Sequence, residues 1–221
     1  MLILAADTSG KNGSLALVRF ESGTEHTLDI VPIEGGTFSA QLIPLIAELL
    51  ERHRLTKNNI DAFAVASGPG SFTGLRVGLA AIKALAETLH KPIAAVSLLE
   101  VIARAGSKNG RFISALDAGR GEIYTGVYEI DYGQALCVGE SLETVTTFPV
   151  LAEGQFVVTP DPRLAETLKQ FRLNVTLISS PRADAVALLG FEKLQAGQTI
   201  APELLDATYI RRSDAEIKLS K

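Results

Sequence analysis

The 221-residue chain has no tryptophan, one cysteine, one methionine and only three histidines. Cys137 has no partner, so no disulfide can close within the chain and no cysteine pair can hold zinc. His26, His53 and His90 stand far apart, none at the spacing of paired metal ligands, and no serine lies in a G-x-S-x-G elbow. Long apolar runs are missing too. Nothing approaches the ~20 residues that cross a bilayer. The start, Met1-Leu2-Ile3-Leu4-Ala5-Ala6-Asp7, lacks a basic region and reaches a carboxylate at position 7, unlike a secretory signal. A cytoplasmic protein without membrane association is expected. Positive charge is also short: 21 Lys and Arg against 25 Asp and Glu, net −4. With no basic stripe, the chain is not expected to hold nucleic acid by itself, although RNA as the substrate of a larger complex stays open.

What is present suits helices packed on sheets: 47% hydrophobic residues and 21% charged. The length allows one large domain or two small lobes, burying roughly 70% of the unfolded surface without metals or disulfides. Leu2–Ala6 reads as a strand ending at Asp7. Residues 7–13 are turn chemistry with Asn12-Gly13 as a hairpin signal, and Ser14–Phe20 and Thr27–Ile33 are returning strands. Leu42, Leu45, Ile46, Leu49 and Leu50 recur at helical spacing within 39–54, where Pro44 must sit in the first turn or kink the helix. Ala62–Ser67 is a strand, 72–90 a helix, Ile93–Val96 a strand and Leu98–Ala105 a short helix. After a polar break at Ser107–Gly110 the opening seems to restart. Phe112–Leu116 ends in Asp117, Ala118–Gly121 turns, Ile123–Ile130 returns, and Leu136–Gly139 is a third strand. This weak repeat lies roughly 110 residues after the first, with coincidence as the alternative. Further elements are expected at Phe156–Thr159, Pro162–Phe171, Val175–Ser179 and Asp184–Ala196, followed by a polar tail from Tyr209. The reading is α/β, with an N-terminal lobe over 1–106 and a C-terminal lobe over 107–221, the last helix and tail free to pack back on the first lobe. Strand meanders followed by alternating helices and strands resemble the actin-like ATPase superfamily (ASKHA, ribonuclease H-like), two lobes each with a mixed sheet flanked by helices.

The densest motif is Gly68-Pro69-Gly70-Ser71-Phe72-Thr73-Gly74, between strand and helix. Such a loop can aim backbone N–H groups at an anion, aided by the helix N-terminus, with Ser71 or Thr73 as cap. Equally, its small residues serve a tight turn. The spacing is neither that of the P-loop nor of the dinucleotide fingerprint. The helix behind it carries Gly74, Gly78 and Ala81 as a small-residue stripe, and Leu75, Leu79 and Ile82 on an apolar face. It and the 39–54 helix are apolar on more than one side, so each must meet more protein: a neighbouring helix of the same lobe or a second subunit. His53 and His90 fall near helix ends, where capping suits a cation. Asp7 and Asp117 close strand–turn units, either as Asx-turn acceptors or as carboxylates facing phosphate across an actin-like cleft. Asp7, Thr8, Ser9, Gly68, Gly70, Ser71 and Asp117 are therefore the candidate anion or nucleotide contacts.

Asp7-Thr8-Ser9, Ser67–Gly78 and Asp117-Ala118-Gly119-Arg120-Gly121-Glu122-Ile123-Tyr124, in this order, with the tail Tyr209-Ile210-Arg211-Arg212, resemble the bacterial TsaB (YeaZ) family over nearly the whole chain. The resemblance implies a role in making N6-threonylcarbamoyladenosine at position 37 of ANN-decoding tRNAs. It implies binding to the related catalytic subunit TsaD, with TsaE joining, tRNA as substrate of the complex only, and self-association as a homodimer when alone. The expected partner interface is Leu42, Leu45, Ile46, Leu49, Gly74, Leu75, Gly78, Leu79 and Ile82, a standard helical interface burying roughly 1,600 Å². On that expectation Gly78→Arg leaves the fold intact and abolishes binding. Leu98 and Ile102 stand where the catalytic sibling carries a metal-holding His-x-x-x-His pair, so neither catalysis nor a metal is expected of the chain alone. No cofactor is assigned to the isolated chain, and ATP or ADP is allowed in the complex. Phe38, Gly119 and Thr159-Pro160-Asp161 depart from the family pattern, the last where an actin-like protein would hold adenosine. The alternative is a stand-alone actin-like ATPase or small-molecule kinase using Asp7 and Asp117. A peptidase reading has neither metal ligands nor a nucleophile constellation behind it.

Overall fold

A computed structural model describes residues 1–106 and 109–211. Ser107 and Lys108 of the expected polar break, and Arg212 and Ser213 of the tail, lie outside the described residues. The chain forms two compact units, one of Met1–Ser97 with Arg182–Ala207, the other of Leu98–Pro181 with the tail from Thr208.

In the first unit, β1 (Leu2–Asp7), β2 (Gly13–Glu21) and β3 (Thr24–Ile33) form an antiparallel meander, and β4 (Ala62–Gly68) and β5 (Ile93–Ser97) extend it in parallel, in the order β3-β2-β1-β4-β5. β1 and β4 are buried at every position, as central strands covered on both faces must be. On this sheet lie α1 (Phe38–Arg52), α2 (Phe72–Leu89) and α6 (Ala183–Gln195). A core of Leu4, Leu17, Leu42, Leu49, Phe63, Leu75 and Ile82 fills the space under α1 and α2.

The second unit repeats the plan. β6 (Gly110–Gly119), β7 (Glu122–Asp131) and β8 (Gln134–Thr144) form the meander, and β9 (Phe156–Thr159) and β10 (Asn174–Leu177) the parallel extension, in the order β8-β7-β6-β9-β10. The weak sequence repeat is thus real at the level of topology: both units have the ribonuclease H-like strand order of the actin-like class. α3 (Leu98–Gly106) packs on β6 to β9, and α5 (Pro162–Gln170) on β9 and β10. A short helix, α4 (Phe148–Leu151), seats Phe148 in the core.

Several local expectations change. Asn12-Gly13 is not a two-residue hairpin turn. Asp7 pairs with Ser14, and Gly13 already begins β2 by pairing with Ile33, so residues 8–12 form the loop. Pro44 lies inside α1, past its first turn, on the exposed side. β8 runs from Gln134 to Thr144 rather than 136–139, since backbone pairing with β7 continues through its polar residues.

Candidate functional site

The glycine loop leaves β4 at Gly68, whose φ of 124° favours glycine, and enters α2 at Ser71 through a cis Gly68-Pro69 peptide. Ser71 caps the helix, its Oγ accepting from the Gly74 N–H at 3.3 Å, and the Ser71 N–H donates to the Ser9 carbonyl at 2.6 Å. Thr73, the other candidate cap, is exposed. Asp7, Thr8 and Ser9 are all buried. The Asp7 Oδ1 accepts from both the Ser9 N–H (2.8 Å) and the Ser9 hydroxyl (2.6 Å), and the Thr8 hydroxyl donates to the Gly74 carbonyl at 2.7 Å. A Cβ on Gly70 would sit 2.4 Å from the Ser9 carbonyl oxygen, and one on Gly74 2.1 Å from that of Thr8. So Asp7, Thr8, Ser9, Gly68, Gly70 and Ser71 are brought together, with polar groups of the loop turned on one another.

Burial pushes the Asp7 carboxyl above the ordinary carboxylate range, and the two bonds from Ser9 pull it partly back. The folded chain therefore binds that proton more tightly than the unfolded chain. This group's contribution to stability is largest at acid pH and is lost as pH rises from the unfolded value through the folded one. Asp7→Asn keeps an acceptor for Ser9 and removes the charge. Its stability relative to wild type is expected to improve as pH rises from about 4 to neutral. Urea melts at both ends of that range check this, and a constant difference would contradict it.

Asp117 occupies the equivalent place in the second unit but is exposed, its Oδ1 accepting from the Gly119 N–H at 2.8 Å. Both aspartates thus serve as Asx-turn acceptors. The departure Thr159-Pro160-Asp161 builds a helix cap. The Asp161 carboxylate accepts from the Arg163 and Leu164 N–H groups at 2.8 and 3.2 Å, so a negative charge already occupies the positive end of α5. Arg211 donates to the Gly119 carbonyl at 3.2 Å and pairs with Glu122, which ties the tail to the β6–β7 turn. His53 and His90 stand at the C-caps of α1 and α2. Leu98 and Ile102 are buried on the apolar side of α3.

The residues expected to meet a partner are placed differently from expectation. Leu42, Ile46, Leu49, Leu75, Leu79 and Ile82 are buried in the first unit's own core, and Leu45 is half-buried at its rim. Gly74 and Gly78 are not clearance for a second subunit. A Cβ on Gly78 would lie 2.2 Å from the Thr8 Oγ1, so an arginine there would break the fold rather than leave it intact. Phe38 packs beside the same place, its ring 3.2 Å from where a Gly74 Cβ would stand. Besides polar residues such as Ser39, Glu48, Thr73 and Glu87, the helix pair exposes another set: Ala40, Ile43, Pro44 and Ala47 on α1, and Phe72, Arg76, Ala80 and Ala84 on α2. Ile43 is 50% exposed and Phe72 42%, with the Arg76 guanidinium 3.8 Å from the Phe72 ring centre. The large apolar residues that the sequence offers go inward; the outward stripe at i, i+4, i+8 and i+12 of α2 is Phe72, Arg76, Ala80 and Ala84, half of it alanine. A separate cleft of about 480 Å³ near Glu153, Phe156, Phe171 and Arg172 lies by the starts of β9 and β10, the opposite ends from those where open α/β sheets bind ligands.

Comparison with known proteins adds a second line of argument. The profile of a family described as "TsaD: tRNA N6-adenosine threonylcarbamoyltransferase" matches residues 30–159. The chain is 31% identical to the tRNA threonylcarbamoyladenosine biosynthesis protein TsaB of Bacillus subtilis, over 99% of this chain and 97% of that one. It is 30% identical to the protein of the same name from Escherichia coli, over 99% and 98%. Among solved structures, YeaZ from Pseudomonas aeruginosa superposes with a TM-score of 0.75 at 25% identity, covering 94% of this chain and 99% of that one.

Proposed function

The chain belongs to the TsaB family, and from that premise we propose that it is the non-catalytic subunit that binds and supports TsaD in forming N6-threonylcarbamoyladenosine at position 37 of ANN-decoding tRNAs. One observation carries the reading: the exposed side of α1 and α2 includes Ala40, Ile43, Pro44, Ala47, Phe72, Ala80 and Ala84 with Arg76 beside them, the charged Glu48, Glu51, Arg52 and Glu87 lying toward the helix C-termini. Small and aromatic residues on two adjacent helices form the kind of surface on which another helix pair packs closely. The same face receives a second copy when the protein is alone, and TsaE joins the assembled pair. A non-catalytic role is consistent with Leu98 and Ile102, which can ligate nothing where the catalytic sibling holds metal. The stand-alone ATPase reading is weaker, since Asp7 is buried and bonded to Ser9 rather than open to phosphate.

The test is to mix the purified chain with TsaD and measure particle size, then follow modification of an ANN-decoding tRNA supplied with threonylcarbamoyl-AMP. A 1:1 complex and modification that requires both proteins are expected. Full modification by TsaD alone, with no complex, would overturn the proposal.

A further inference from the structure

We infer that Thr8, with Ser9 and Asp7 behind it, is a positioning residue for the partner-binding helix α2, holding the roll of its first two turns through a hydrogen-bonded clasp. The inference rests on the reading that the exposed face of α1 and α2 receives TsaD.

The first half of α2 needs such a device. Gly74 and Gly78 each weaken a helix by roughly 1 kcal/mol relative to alanine. Of the helix's buried large side chains, only Leu75 lies before Gly78. The bare strip along Gly74 and Gly78 is filled by Thr8, whose hydroxyl donates to the Gly74 carbonyl at 2.7 Å. Thr8 is itself fixed from both sides. Asp7 Oδ1 takes two bonds from Ser9, and the Ser9 carbonyl takes the N–H of Ser71, the cap of α2. The β1–β2 loop thus grips the helix at its cap and one turn later. Each residue of a helix turns about 100° from the last, so a small roll at Gly74 redirects Phe72, Arg76 and Ala80 together. The loop that a nucleotide-binding relative would aim at phosphate is used here to orient an interaction surface.

Thr8→Val keeps the shape and removes the donor, whereas Thr8→Ser keeps the donor. Hydrogen exchange of the Leu75–Leu79 amides in the isolated chain, and affinity for TsaD by calorimetry, are read for both variants and wild type. For Thr8→Val, exchange about five- to tenfold faster and binding weakened about as much are expected, the effect of one lost buried hydrogen bond. Thr8→Ser should restore both. Unchanged exchange and affinity in Thr8→Val, or failure of Thr8→Ser to restore them, would overturn the inference. Should Thr8→Val not fold, Ser9→Ala, which removes only the hydroxyl bonded to Asp7, is judged by the same two readouts. Exchange is measured without TsaD, so a wild type that fails to bind TsaD counts against the proposed function, while the clasp still stands or falls on its own measurement.

Discussion

Gly74→Ala is expected to destabilise the protein by about 3 kcal/mol and to lower its melting temperature by about 10 °C. The added methyl would lie 2.1 Å from the Thr8 carbonyl oxygen, a backbone atom in a buried loop, and 3.2 Å from the Phe38 ring. Alanine gains about 1 kcal/mol of helix propensity over glycine. Overpacking of a close-packed site costs up to about 3 kcal/mol and sometimes more, and a shift of α2 would also break the 2.7 Å bond from Thr8, so the loss exceeds the gain. Gly78→Ala should be milder, because its methyl meets the Thr8 hydroxyl, which can rotate away at the expense of that one bond. Thermal melts of both variants decide the matter. A Gly74→Ala protein as stable as wild type would show that α2 can lift without cost.

Ala80→Arg is the opposite experiment. Ala80 lies two residues beyond Gly78 and is exposed, in line with Phe72, Arg76 and Ala84. Stability should change by less than about 0.5 kcal/mol, as for an ordinary surface replacement. If helices of TsaD pack against this stripe, a long charged side chain at its middle should weaken binding at least about 100-fold, the scale of a disrupted interface centre. Melting temperature and calorimetric affinity measured together distinguish this from misfolding. Wild-type affinity in a folded Ala80→Arg protein would remove α2 from the interface.

These two variants also mark where sequence reading succeeded and where it stopped. The strand–loop–helix around Gly68–Gly78 was legible because glycine, proline and serine have strong local preferences, and Ser71 is the cap its position suggests. The paired meanders were legible from strand–Asp–turn punctuation, and the repeat in strand order supports them. Leu75, Leu79 and Ile82 mark one apolar face of α2, but the placing of its small residues was not legible. Gly74, Gly78, Ala80, Ala81 and Ala84 carry almost no hydrophobic contrast, so helical periodicity cannot tell which of them meets Thr8 and which meets solvent. Long-range partners are equally silent in sequence. Nothing near Gly74 announces Thr8, 66 residues earlier. α4 escaped notice because four residues with Pro149 give no periodic signal.

The doubled strand order has a consequence of its own. A fold that contains the same plan twice begins with two equivalent hairpin loops, and equivalence leaves room for divergence. Here one loop has turned inward and become part of a helix's footing, with Asp7 sealed beneath it. Its counterpart stays at the surface with Asp117 exposed, tied to the tail by Arg211 and to the end of β8 by the Val145 N–H on the Gly121 carbonyl. Symmetry of architecture has given way to a division of labour. Equivalent substitutions in the two halves should therefore be read as experiments on different devices.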